Sequence, residues 1–245
     1  MISNLASQYC SNLNRVLSHT EATNRGGAQL GLDEAGKQAL ALIAGVRARG
    51  NKIMLVGNGG SAAIVSHIQN DFCKAANMPA MVFNDIPLLT AFANDDGYQV
   101  AFEKMAEMWA KEGDLLIAVS SSGKSQNILR ASSCCLRKGC GLITLSGFSP
   151  ANDLRQMGSV NFYVPSDSYG AVELAHSILG HFFTDAMAEG VTEQSETRSA
   201  VKADWSGTPI DASAAKSGNQ AATKPISNGF EGMAAVKSAP AAKAG

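Results

Sequence analysis

Short apolar runs, separated by stretches long enough to form helices, constrain the fold of this chain more than any other feature. Continuous apolar strands that alternate with helices are typical of a parallel sheet covered on both faces. The pattern therefore predicts an α/β fold of three layers around a five-stranded parallel sheet. The five runs are residues 52–56, 114–119, 141–145, 160–164 and, more weakly, 80–83.

The N-terminal part of the chain shows no such runs and is predicted to be helical over residues 1–49. Residues 39–44 are apolar, and Gly50 stands where a helix C-cap is expected. This N-terminal helical segment, residues 1–50, either packs on a partner chain as an oligomerisation element or covers one face of the sheet. The sheet domain itself is predicted over residues 51–189.

The C-terminal part differs in composition from everything before it. From about residue 190 the chain is dominated by Ala, Ser, Lys, Gly and Thr, with a lone Trp205 and Phe230. Two isolated aromatic residues cannot form a core, so residues 190–245 are predicted to be a disordered tail. A partner-docking peptide is the alternative.

Charge and hydropathy exclude several classes of protein. The net charge of −1 gives no electrostatic reason to expect nucleic acid or acidic membranes as partners. No apolar run approaches the roughly 20 residues of a membrane-spanning helix. Residues 1–14 are polar, so we expect no secretion signal. The chain is therefore expected to be cytoplasmic.

The cysteines support the same expectation. There are five, an odd number, and none are spaced as Cys-x-x-Cys. This argues against a disulfide framework and against a thiolate zinc site. We expect each cysteine to be a small, buried, apolar residue.

A glycine-rich loop, Gly57-Asn58-Gly59-Gly60-Ser61, follows the first strong strand and opens a helix. Ligands of parallel α/β sheets bind beyond the carboxyl ends of the strands, and a helix N-terminus offers free N–H groups to an anion. The loop is not a dinucleotide fingerprint, because Ala62 stands where the third glycine is required. An ordinary turn is the alternative.

A serine-rich loop over residues 120–125, Ser-Ser-Ser-Gly-Lys-Ser, occupies the equivalent place after the second strong strand. Its four hydroxyls and its backbone amides match the donors that a phosphate group requires. A nucleotide P-loop is excluded, because Ala118 stands where that motif needs its first glycine. The loop predicts a phosphate site, with a solvated turn as the alternative.

Two helices carry histidines and carboxylates at a spacing of one or two turns. His67 and Asp71 are four residues apart, and Glu173 and His181 are eight residues apart on the last predicted helix. Two imidazoles and two carboxylates suffice for a zinc site or for an acid–base pair. His176 is a rival ligand, although it lies about 60° away from the line of Glu173. Taken singly, each histidine can equally be a structural residue.

The order of these motifs resembles the phosphoheptose isomerases. Ala93-Asn94-Asp95 and the last helix, with Gly180-His181, complete the pattern, which covers about residues 1–188. These are sugar isomerase (SIS) fold enzymes that interconvert sedoheptulose 7-phosphate and D-glycero-D-manno-heptose 7-phosphate. The resemblance implies a three-layer SIS fold, a homotetramer, and sites built between subunits.

The resemblance also implies a role for each residue of the motifs. Asp71 is the expected base and His181 the expected acid of an enediol mechanism. The positions that hold one Zn²⁺ per chain in the family read His67, Asp71, Glu173 and His181. The residues expected to contact the sugar phosphate are Asn58, Gly59, Gly60, Ser61, Asp71, Asn94, Asp95, Ser120, Ser121, Ser122, Ser125 and Glu173.

The chain departs from the family at several of these positions. Asp71 replaces a Glu and loses about one C–C bond of reach, roughly 1.5 Å. Glu173 replaces a Gln and adds a negative charge. Gly170 and Ala171 replace an acidic and a basic residue. Two carboxylates and two neutral imidazoles still balance the charge of Zn²⁺.

Two classes of function therefore stay open. The first is a zinc-dependent phosphosugar isomerase, with other SIS chemistry, such as a hexulose phosphate isomerase or a lyase, as a variant. The second is a non-catalytic protein that binds sugar phosphates, resembling the SIS protein that associates with the bacterial replication initiator. The retained His67 and His181 favour the first, which is the expected function, whereas the departures at Asp71 and Glu173 and the long tail favour the second.

Overall fold

A seven-stranded sheet organises residues 5–190, the part of the chain that the computed structural model describes. Its strand order is β2-β1-β7-β6-β5-β3-β4. The strands β3 to β7 run parallel to one another and coincide with the five predicted runs. The bounds are β1 Glu21–Asn24, β2 Gln29–Leu30, β3 Ile53–Val56, β4 Ala80–Val82, β5 Leu115–Ser120, β6 Gly141–Ser146 and β7 Val160–Tyr163.

Two of the seven strands were not expected, so the prediction of a five-stranded sheet and a wholly helical N-terminal segment was wrong in this respect. β1 pairs antiparallel with β7, placing Ala22 opposite Phe162, and β2 pairs antiparallel with β1. The sequence Glu-Ala-Thr-Asn has no apolar run. Its strand conformation comes from the free edge of β7, to which it supplies hydrogen bonds.

Seven α-helices are described, together with a π-helical turn, Ala93–Gly97, and a 3₁₀ turn, Leu154–Gln156. The predicted cap of α2 is confirmed, because Gly50 adopts φ 68°, a left-handed conformation that suits glycine. The bounds are α1 Ala6–Ser18, α2 Leu32–Arg49, α3 Gly60–Lys74, α4 Ile86–Phe92, α5 Tyr98–Trp109, α6 Gln126–Arg137 and α7 Tyr169–Ala188.

The helices cover both faces of the sheet, as the apolar strands predict. Successive strand residues point to opposite faces. Ile117 of β5 joins one apolar cluster, with α2, α3 and α7, whereas its neighbour Leu116 joins the other, with α5 and α6. Phe72 and Phe183 are fully buried in the first cluster, and Phe102 is buried in the second. The predicted three-layer α/β fold is confirmed.

The cysteines follow the prediction only in part. Cys134, Cys135 and Cys140 are buried free thiols, but Cys10 and Cys73 are exposed. Among the helices described, none combines the length and the apolar character needed to span a membrane. The predicted tail lies outside the described residues, apart from Gly190 itself.

Candidate active site

A polar cavity of about 250 Å³ opens where β3 and β5 end, at the carboxyl edge of the sheet. The glycine loop, which precedes α3, lies on one side of the cavity, and the serine loop, which precedes α6, lies on the other. The first turns of α7 close the cavity. Its lining consists of Asn58, Gly59, Gly60, Ser61, Ser120, Ser121, Ser122, Ser125, Tyr169 and Glu173.

The lining includes nine of the predicted sugar-phosphate contacts, and Tyr169 is the addition. No spacing rule drew attention to Tyr169, which follows the loop after β7 and is 64% exposed. Its ring packs edge-on against Phe148, with 4.8 Å between the centroids. An aromatic residue at the first position of a helix that faces the ligand edge is the signal that could have found it.

The serine loop presents both satisfied and unsatisfied hydroxyls. Ser120 Oγ lies 3.4 Å from Ser125 Oγ and accepts a hydrogen bond from the backbone N–H of Gly123. The Oγ of Ser121 is buried and has no hydrogen-bond partner among residues 5–190. A buried hydroxyl without a partner is unfavourable in an empty protein, so the loop has hydrogen-bonding capacity to offer a ligand.

Glu173 brings a negative charge into this cavity. A Cβ placed on Gly60 would overlap the Glu173 carboxylate, so only glycine allows this close approach. The carboxylate therefore lies at the N-terminus of α3, where the helix dipole favours an anion. Glu173 thus occupies part of the surface that suits a phosphate group.

A second group of polar side chains lies farther along the same two helices. The Oδ2 atom of Asp71 lies 3.4 Å from Nε2 of His67 and 3.6 Å from Nδ1 of His181. The two imidazole rings meet edge-on, with centroids 5.1 Å apart. The side chains of His67, Asp71 and His181 are 56%, 21% and 43% exposed, so substrate and solvent can reach them.

This cluster of His67, Asp71 and His181 depends on close contact between α3 and α7. A Cβ on Gly180 would come within 2.5 Å of the Ile68 side chain, so glycine lets the helices approach. Gly180 precedes His181, and Ile68 follows His67, so their contact brings the two imidazoles together. The predicted convergence of the two helical faces is therefore present in the structure.

The donor set of the cluster could hold a metal ion. One potential ligand atom from each of the three residues lies within 4.8 Å of the other two. Among residues 5–190, these three side chains form the group of His, Asp, Glu or Cys residues that is compact enough to hold a metal ion. Two imidazoles and a carboxylate match the three protein ligands of catalytic zinc sites. Glu173, predicted as a fourth ligand, is not part of this group and lines the cavity instead.

The remaining predicted residues lie elsewhere. Asn94 and Asp95 are exposed on the π-helical turn, where Asn94 donates a hydrogen bond of 2.8 Å to Asp95. His176 is fully buried on α7, and its Nε2 lies 3.1 Å from the carbonyl oxygen of Ser146. Burial lowers the pKa of His176 to about 4, so it stays neutral near pH 7. The rival ligand is thus turned into the core.

Comparison with known proteins identifies the family. A phosphoheptose isomerase of Burkholderia pseudomallei is 36% identical over 151 residues, which are 59% of this chain and 76% of that protein. One of Aneurinibacillus thermoaerophilus is 32% identical over 148 residues, 58% and 74% of the two chains. A model of the SIS domain family matches residues 8–147.

The chain belongs to the SIS domain family, among the phosphoheptose isomerases. The predicted resemblance to the phosphoheptose isomerases is therefore confirmed. Phosphoheptose isomerases are ketose–aldose isomerases, so the prediction of an enzyme is confirmed as well. The solved structure of phosphoheptose isomerase from Neisseria gonorrhoeae has the same fold, with a TM-score of 0.64 at 24% identity. It matches 75% of this chain and 96% of the Neisseria chain. The SIS fold predicted from the sequence is thus confirmed.

Proposed function

We propose that this SIS-domain chain interconverts sedoheptulose 7-phosphate and D-glycero-D-manno-heptose 7-phosphate. The observation that carries the proposal is the cluster of His67, Asp71 and His181, because it gathers acid, base and metal ligands on one helix pair. Gly60 lies seven residues before His67, which is about 10 Å along α3. The phosphate cavity and the cluster therefore lie along the same pair of helices.

The cavity is proposed to hold the phosphate group. The unpartnered hydroxyl of Ser121, the other serines of the loop and the N-terminus of α3 supply hydrogen-bond donors without a fixed positive charge. Asn58 and the glycine loop close the opposite side. Asn94 and Asp95 are proposed to contact sugar hydroxyls from the π-helical turn.

The cluster is proposed to hold one Zn²⁺ per chain. His67, Asp71 and His181 would be its ligands, since three protein ligands leave a position open for substrate. A bound zinc ion would polarise a carbonyl group. Glu173, expected from the sequence as a fourth ligand, lines the cavity and is not included in this proposed ligand set.

The proton transfer is assigned to the side chains of this chain. Asp71 is proposed to remove the proton from the carbon beside the carbonyl and to return it to the neighbouring carbon, through an enediol. His181 is proposed to give a proton to the carbonyl oxygen and to take one from the adjacent hydroxyl. Each proton that is removed is returned, so the reaction only moves the carbonyl by one carbon.

The proposed assembly is a cytoplasmic homotetramer. All 13 residues of α1 stay at least partly exposed, including the apolar Tyr9, and Leu5, directly before the helix, is exposed as well. On α7, three apolar side chains one turn apart are 41–45% exposed: Leu174, Ile178 and Phe182. Such apolar surface is typical of a site for another protein subunit.

The test is a turnover assay on purified full-length protein. Incubation with sedoheptulose 7-phosphate and added Zn²⁺ is expected to yield an aldose phosphate, and metal analysis is expected to give about one zinc per chain. A screen across other ketose and aldose phosphates tests the substrate. Protein that binds the sugar phosphate but is free of zinc and turns over none of these substrates would support the regulatory alternative.

A further inference from the structure

Asn58 and Asn127 form a reciprocal pair of amides between the two loops of the cavity. Asn58 Nδ2 donates to Asn127 Oδ1, and Asn127 Nδ2 donates to Asn58 Oδ1, each at 2.9 Å. Asn58 lies in the glycine loop, and Asn127 is the second residue of α6, directly after the serine loop. The pair therefore joins two loops that are 69 residues apart in sequence.

The orientation of Asn127 is fixed independently of Asn58. Its residue is only 3% exposed, and its Oδ1 also accepts a hydrogen bond of 3.0 Å from the backbone N–H of Ile128. The oxygen must therefore face that N–H, which leaves the Nδ2 group directed at Asn58. Rotation of the amide would bury polar atoms without partners, which is unfavourable.

A third segment reaches the same side chain. The hydroxyl of Tyr98 donates a hydrogen bond of 2.7 Å to Asn58 Oδ1. Tyr98 is the first residue of α5 and directly follows the π-helical turn that carries Asn94 and Asp95. The side-chain oxygen of Asn58 thus accepts two hydrogen bonds, one from each neighbour.

These contacts leave one N–H group of the Asn58 side chain without a hydrogen-bond acceptor among the described residues. A side-chain amide has two N–H donors, and one of them is used by Asn127. The other is available to a ligand in the cavity, which Asn58 lines. Asn127 and Tyr98 themselves do not line the cavity, so they can act on a ligand only through Asn58.

We propose that Asn127 and Tyr98 are positioning residues that hold Asn58 with its second N–H directed at the bound sugar phosphate. Through Asn58 they fix the glycine loop, the serine loop and the π-helical turn relative to one another. The inference rests on the proposed function, because it assigns Asn58 to sugar-phosphate binding.

Tyr98→Phe is the main test, measured both in the wild-type chain and in an Asn58→Ala background. In the wild-type chain, loss of one hydrogen bond is expected to raise the KM for sedoheptulose 7-phosphate roughly three- to tenfold. kcat is expected to stay within about twofold, because Tyr98 does not touch the cluster. In the Asn58→Ala background, Tyr98→Phe is expected to change KM no further, since the residue acts through Asn58.

Matched variants complete the design. Tyr163→Phe removes a comparable hydroxyl, which donates a hydrogen bond of 2.8 Å to the carbonyl oxygen of Phe148. This variant is expected to leave KM unchanged. Asn127→Leu, which removes the amide at similar volume, is expected to raise KM more than Tyr98→Phe, again only where Asn58 is present. Should Asn127→Leu fail to fold, Tyr98→Phe still decides.

The affinity for inorganic phosphate, measured by calorimetry in the same variants, separates this inference from the proposed function. Wild-type protein that binds phosphate but shows no turnover would refute the isomerase proposal and leave the positioning test intact. The inference would be overturned if Tyr98→Phe had an effect of equal size in both backgrounds, or if it left the affinity for phosphate unchanged when Asn58 is present. It would also be overturned if the wild-type protein bound no phosphate.

Discussion

Two regions of the molecule, the amino end of the parallel sheet beside β5 and the contact between α3 and α7, treat a carboxylate in opposite ways. At the amino end, Asp114 is 2% exposed and accepts four hydrogen bonds, from Asn51, from the backbone of Lys111, and from both the backbone and the ammonium of Lys52. Between α3 and α7, Asp71 is 21% exposed and meets two imidazoles at 3.4 and 3.6 Å.

The difference separates a structural carboxylate from one that we propose to be functional. Burial opposes the ionisation of Asp114, but its hydrogen bonds from Lys52, Lys111 and Asn51 prevail and lower its pKa. The chain itself satisfies this group completely, so nothing is left for a ligand. Asp71 accepts one hydrogen bond from Asn70 and otherwise meets the two imidazoles, so it keeps bonding capacity that the fold does not use. The unpartnered Ser121 hydroxyl of the cavity does the same.

The largest effect is expected at the contact between α3 and α7, from His181→Ala. Removing the proposed acid and zinc ligand should lower kcat by about 10²–10⁴-fold, the usual contribution of a general acid–base group. The measurement is turnover of sedoheptulose 7-phosphate, with urea unfolding as the check on stability. His19→Ala, an exposed histidine on the N-terminal side of the chain, is the control, and full activity in His181→Ala would contradict the mechanism.

The next effect is expected at the amino end, from Asp114→Ala. This variant leaves the Lys52 ammonium and several N–H groups without their acceptor, and should reduce the free energy of unfolding by roughly 2–3 kcal/mol. Urea denaturation measures the loss. The kcat of the folded protein should stay the same, and a large drop in kcat without a loss of stability would place Asp114 in the function.

A smaller effect concerns the pH dependence of stability and is carried by His176. Its pKa is about 4 in the folded chain and about 6.5 when unfolded, so the unfolded chain binds more protons between these values. Stability is therefore full above pH 6.5 and is lost as the pH falls towards 4. The loss should reach about 2 kcal/mol between pH 7.5 and pH 5.

The matched variant is His176→Asn, which keeps an N–H donor for the carbonyl of Ser146 but does not titrate. Urea midpoints at several pH values should fall less steeply with acid in the variant than in the wild-type chain. Equal slopes in the two proteins would contradict the assignment of this proton uptake to His176.

The sequence could predict whatever depends on local pattern. The five parallel strands were predictable, because each is a buried apolar run between turn residues. The hairpin of β1 and β2 was not, since Glu21–Asn24 becomes a strand only by pairing with β7. Its conformation is a tertiary property that no local period records.

The same division applies to the site. Helical spacing placed His67 with Asp71, but their meeting with His181 depends on the contact between Gly180 and Ile68. The roles of Asn127 and Tyr98 depend on distances across three segments, and neither residue belongs to a recognisable motif. The contact of Glu173 with Gly60 could not be predicted from the sequence either, because it depends on how α7 approaches α3.

The smallest effect is expected from Glu173→Gln, and it sharpens the comparison between the two regions. A carboxylate at the N-terminus of α3 competes with a phosphate group for the same dipole and repels its charge. Its removal should lower the KM for sedoheptulose 7-phosphate roughly twofold to fivefold, as expected for a partly exposed charge pair, and less at high salt. Zinc content should stay the same. A higher KM together with loss of zinc would instead assign Glu173 to the metal, and would show that the helix pair α3 and α7 uses both of these carboxylates for function.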